Sequence, residues 1–180
     1  PGVAGPAGPA GTNGTNGTNG VNAARYIVAT TLADGATHTS IQAAINAALA
    51  DGYGPGALPD TTILVRPGTY NESVTLSDGV HLSSAAASRN YITTINGTVT
   101  LASGITSMRC IDINGAADTA ALSVVGTSGA TQLTISDCNV YGNGAGVNGR
   151  PLFVDVPNNG SGGVVYVNTN FRKLGPANAA

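Results

Sequence analysis

Ile41-Gln42-Ala43-Ala44-Ile45-Asn46-Ala47-Ala48-Leu49, followed by Thr61-Thr62-Ile63-Leu64-Val65-Arg66-Pro67-Gly68-Thr69-Tyr70-Asn71-Glu72-Ser73-Val74, is the stretch on which the fold turns. Ile41, Ala44, Ile45, Ala48 and Leu49 recur at i, i+3, i+4, i+7 and i+8, so one face of a helix is apolar. Thr39 or Ser40 can cap its start, and Gly52 follows its end. The β-branched run from Thr61 to Val65 then breaks at Pro67-Gly68, as a short strand ends in a turn.

Downstream the same grammar repeats without another helix. Short β-patterned segments, divided by Gly, Asn, Asp and Ser, are expected at Ile63 to Arg66, Ser73 to Leu76, Val80 to Ser83, Ile92 to Ile95 and Val99 to Leu101. They continue at Met108 to Ile113, Ala121 to Val125, Gln132 to Ile135, Cys138 to Tyr141, Leu152 to Val156 and Val164 to Val167. Aligning Val80, Met108, Leu133 and Val164 gives steps of 28, 25 and 31 residues, a loose period of the kind that solenoids have. In this alignment Ser84, Asp112, Asp137 and Asn168 fall four residues further on and form a turn ladder at the coil corners. The longest step holds the Gly-rich stretch 142–149, expected to bulge as a loop.

Upstream, Gly2, Gly5, Gly8, Gly11, Gly14, Gly17 and Gly20 keep period three without a fault. Only glycine fits where three polyproline II chains meet, and Pro6 and Pro9 preset the φ that such chains need. A collagen-like triple-helical stem, and hence a homotrimer, is the expectation, with a flexible linker as the alternative. The chain so divides into a stem (1–22), a connector with a first strand from Arg25 to Thr31 (23–38), a cap helix (39–52), a β-helix (61–172) and a tail or linker to a further domain (173–180).

Composition agrees with an all-β solenoid. The 180 residues include 26 glycines and are 9% charged, and Glu and Lys occur once each. The seven basic residues are scattered and net charge is −2, so no nucleic-acid footprint is expected. No apolar run approaches the roughly 20 residues of a membrane span, and no membrane partner is expected. Cys110 and Cys138 are read as free buried thiols, with a disulfide as the alternative; no metal site or cofactor is expected from them.

The helix and the strand-Pro-Gly-Thr-Tyr turn together resemble the opening of the pectin-lyase-like superfamily over about residues 39–170. The resemblance implies a right-handed parallel β-helix whose end is closed by an amphipathic helix. Solenoid ends expose strand edges and apolar core, and a helix there covers both. That superfamily includes lyases, hydrolases, tailspikes and inert structural heads, so activity has to come from a site. A collagen-like stem before such a head resembles virion fibres, tail fibres and bacterial surface adhesins, which implies a virion or cell-surface location and other fibre or virion proteins as partners.

The acidic residues offer little catalytic pattern. Asp112 and Asp137 alone are expected on adjacent coils, about 4.8 Å apart, and are read as turn ladder rather than as a catalytic or calcium-binding pair. A lyase's carboxylate cluster beside a base is not met, because Arg109 stands near Asp112 without a third carboxylate. His38 and His81 are read as turn or surface residues with no nucleophile in a recognisable setting. Glycan contact requires aromatic faces and small polar groups, which Tyr53, Tyr91, Tyr141, Tyr166, Asn143 and Asn148 supply as candidates. The expectation is therefore a fibre or adhesin component without catalytic residues, attaching to host cell-surface polysaccharide. The alternative is a tailspike-like depolymerase with its site at the subunit interface.

Overall fold

A computed structural model describes residues 26–32, 35–54, 60–86, 92–101, 104–125, 131–144, 149–155 and 162–174. Strand β1 (Tyr26–Val28) precedes helix α1 (Ile41–Ala50), and the rest of the described chain winds in coils of up to three short strands. The first coil holds β2 (Thr61–Val65), β3 (Gly68–Tyr70) and β4 (Val74–Leu76), and the second β5 (Val80–Ser84), β6 (Thr93–Asn96) and β7 (Val99–Leu101). The third holds β8 (Gly104–Arg109), β9 (Ile111–Ala117) and β10 (Leu122–Val125), and the fourth β11 (Thr131–Ser136), β12 (Asn139–Asn143) and β13 (Leu152–Asp155). Strands β14 (Gly162–Val167) and β15 (Asn170–Leu174) begin a fifth.

Each strand pairs in parallel with its counterpart one coil away, which makes three sheets. The first runs β1-β2-β5-β8-β11-β14, the second β3-β6-β9-β12-β15 and the third β4-β7-β10-β13. This is a three-faced parallel β-helix.

Parallel register stacks like on like inside it. Ile63, Leu82, Met108 and Ile135 form one inward column, and Tyr70, Ile95, Ile113 and Val140 another. All eight are buried, and each contributes about 1.5–3 kcal/mol by leaving water. The helix buries Ile41, Ala44, Ile45 and Ala48 over the first coil, the face that its periodicity marks.

Ser40 caps α1, its hydroxyl accepting the Ala43 N–H at 3.1 Å. A second cap comes from the first coil: the Glu72 carboxylate accepts the Ser40 hydroxyl at 2.7 Å and the N–H groups of Ile41 and Gln42 at 2.8 and 3.1 Å. The Gln42 side-chain carbonyl in turn accepts the Thr75 N–H at 2.7 Å. Helix and coil are therefore tied by polar bonds as well as by packing.

The register corrects the sequence alignment in one coil. Val80, Leu133 and Val164 do share a position, but its third-coil member is Thr106, not Met108, which lies two residues on. The corner column is accordingly Ser84, Cys110, Asp137 and Asn168, and Asp112 is not in it. Cys110, Asp137 and Asn168 have φ of 55°, 55° and 49°, the left-handed conformation that turns the chain sharply from the first sheet towards the second. Cys110 thereby splits the strand expected from Met108 to Ile113. Strand β3 was not expected, and β15 runs to Leu174, past the expected boundary at 172. Both cysteines are free; Cys138 is buried and Cys110 half-buried.

Candidate functional site

The outer face of the second sheet carries two columns of polar side chains. One runs Thr69, Thr94, Asp112, Asn139 and Asn170; the other runs Asn71, Asn96, Asn114, Tyr141 and Arg172. Members of a column stand about 4.8 Å apart, so the face extends over about 20 Å. Side-chain amides bond along the columns: Asn96 donates to Asn71 at 2.8 Å, and Asn114 to Asn96 at 3.1 Å. Asn139 donates to Asp112 at 2.8 Å, and Asn170 to Asn139 at 3.0 Å. Each ladder bond takes one of an amide's two donors, so the columns retain hydrogen-bonding capacity towards solvent.

Thr69 and Asn71 head these columns and also line a cleft of about 270 Å³, with Thr30, Thr39, Ser40, Tyr70 and Glu72. Burial, reinforced by the Glu72 charge and opposed by Arg66, raises the pKa of the Tyr70 phenol. It stays a neutral donor, bonded to the Arg66 carbonyl at 2.9 Å.

On the adjoining first sheet, His81 of β5 stands between two partners. Its Nδ1 is 2.9 Å from the Ser107 hydroxyl of β8, and its Nε2 is 3.2 Å from a carboxylate oxygen of Asp60. A carboxylate only accepts, so in the neutral ring the tautomer that suits both partners has Nε2 donating to Asp60 and Nδ1 accepting from the Ser107 hydroxyl. The sequence reading found no serine or cysteine in a recognisable setting for His81; the fold sets the Ser107 hydroxyl of the next coil beside it. His38 instead sits beside the Thr37 hydroxyl at 2.9 Å, its ring tilted against Tyr26.

The other expected site residues disperse. Tyr53 packs against the core, edge-on to Tyr26 at 6.1 Å. Tyr141 is half-buried within the outer column, and Asn143 is exposed at the end of β12, past a register shift. Tyr166 lies on β14 in register with Ile135. Tyr91, Asn148 and the stem glycines Gly2 to Gly20 lie outside the described residues. Asp112 and Asp137 do not pair: Asp112 accepts from Asn139, while Asp137 accepts from Asn168 at 2.8 Å and lies 3.8 Å from Arg109. Among the described residues no three His, Cys, Asp or Glu side chains group as metal ligands.

The sequence reading missed Glu72, the amide columns and the His81 constellation. His81 and Ser107 are 26 residues apart, one coil, and the two-residue slip that set Met108 against Val80 set Arg109 against His81.

No protein-family model matches the chain, and no curated protein matches it. Among solved structures it is similar to pectin methylesterase PemA from Erwinia chrysanthemi, with a TM-score of 0.50 and 19% identity. The match covers 73% of this chain and 46% of that one, so this chain spans less than half of the length of the protein it matches. The likeness is one of fold, and it corrects the expectation that the chain is no enzyme: the solved neighbour on this parallel β-helix is one.

Proposed function

We propose that the chain is the carbohydrate-engaging head of a fibre, gripping an extended polysaccharide along the outer face of the second sheet. The observation that carries this reading is the pair of polar columns leading into the cleft at Thr69 and Asn71. A sugar polymer offers hydroxyls at a regular repeat, and the columns offer amides, hydroxyls and a carboxylate at another. Tyr141 gives an aromatic face for a ring's C–H groups, and the exposed Arg172 a cation for an acidic sugar. The Gly-X-Y stem fits a homotrimer, whose three heads turn weak single contacts into avid attachment at a virion or cell surface. An enzyme acting on the bound polymer is the second reading, favoured by the named activity of the solved neighbour.

Affinity electrophoresis through gels containing neutral or acidic polysaccharides tests the proposal. The chain is expected to be retarded by at least one polymer, with Tyr141→Ala and Asn114→Ala each reducing retardation severalfold. Equal mobility in every gel, or retardation untouched by both substitutions, overturns it.

A further inference from the structure

We propose that Asp60, His81 and Ser107 form a hydrolytic relay for small acyl groups carried as esters on an exposed hydroxyl. The relay lies on the first sheet, so the inference does not depend on glycan contact at the second.

Three elements converge to build it. Asp60 precedes β2, His81 is outward on β5 and Ser107 outward on β8, opposite His81 in the parallel register. Gly79 (φ +69°) leaves room for the Asp60 carboxylate: a Cβ there would come within 3.0 Å of its oxygen. The His81 side chain is 21% exposed, enough shelter to hold the ring between its partners and enough opening to admit a substituent.

The row along β8 supplies the remaining parts. Ile105, Ser107 and Arg109 alternate onto the outer face, about 7 Å from one to the next. Ile105 is 48% exposed and offers an apolar contact for the acyl chain. Ladder N–H groups are committed to the sheet, so a developing oxyanion has to be met by a side chain. The Arg109 guanidinium, exposed and only 3.8 Å-paired with Asp137, is the group on that row with the right charge.

In the first half-reaction the Ser107 Oγ bonds to the acyl carbon while its proton passes to His81 Nδ1. The ester C–O bond then breaks, and His81 returns the proton to the leaving alkoxide. In the second half, water attacks the acyl-serine with His81 again as base, releasing the carboxylic acid and restoring the hydroxyl. Asp60 holds the Nε2 proton and stabilises the imidazolium. The flat, open face suits a protruding substituent rather than a polymer backbone.

The test uses 4-nitrophenyl acetate turnover and covalent labelling by a fluorophosphonate, with the adduct located by mass spectrometry. Labelling of the unaltered chain at Ser107 is expected. Turnover is expected to fall on the order of a hundredfold in Ser107→Ala and His81→Gln, and less in Asp60→Asn. Circular dichroism checks that these outward-facing variants fold. An unlabelled Ser107, or turnover equal in Ser107→Ala and the unaltered chain, overturns the relay.

Discussion

Glu72 accepts the N–H of Ile41 at 2.8 Å, so the first coil itself supplies a cap for the helix that closes it. The same carboxylate holds Gln42 and Ser40, occupying the end where the helix dipole favours negative charge. Glu72→Ala should therefore cost about 1–2 kcal/mol, read as a lower urea midpoint. Glu72→Gln should cost less, because one acceptor oxygen remains. A midpoint unchanged in both would mean that packing alone seats the helix.

Thr106 is 1% exposed, and its hydroxyl donates to the Val80 carbonyl of the preceding coil. Thr106→Val keeps the shape and removes the donor. A loss of about 1 kcal/mol is expected in thermal or urea unfolding, the usual scale for one buried hydrogen bond.

Gly97 sits where the coil above leaves no space: a Cβ there would collide with the Glu72 carbonyl. The obstacle is backbone, which cannot rotate away as a side chain would. Gly97→Ala is expected to destabilise by about 2 kcal/mol and to loosen the Glu72 cap with it. Faster amide exchange at Ile41 and Gln42 would report the second effect.

Cys138 is buried, its thiol beside the Ser136 carbonyl at 3.1 Å, and burial pushes its pKa up to about 12 from 9.0. The folded state thus holds the thiol proton more tightly than the unfolded state. Its contribution to stability is full below pH 9 and falls as pH rises from 9 towards 12. A disulfide reagent at pH 8 should label Cys110 rapidly in the native chain and Cys138 only after denaturation. Equal rates at the two sites would contradict the packing.

Legibility in the sequence followed how local each signal was. The cap helix was readable because periodicity along ten residues needs no partner to be seen. The solenoid was readable because strand, turn and strand recur at a loose period. Exact register was not, and one residue explains why. Thr106 is polar, so an apolar search passes over it for Met108, yet in the coil its hydroxyl finds the Val80 carbonyl and it faces inward.

By themselves, then, the residues indicated an amphipathic helix and a repeat of short strands, since apolar alternation and turn residues suffice to fix which side of each strand is buried. The parallel pairing and the capping place of the helix were implied by the resemblance of residues 39–170 to the pectin-lyase-like opening. Tertiary structure alone decided which outward side chains became neighbours. Coils here differ in length by several residues, and from β2 onward the Cα partners across a ladder come from segments 18 to 31 residues apart. A shift of two residues keeps every side chain on its own face but exchanges its partners. That is the difference between His81 beside Arg109 and His81 beside Ser107, with Asp60 behind it.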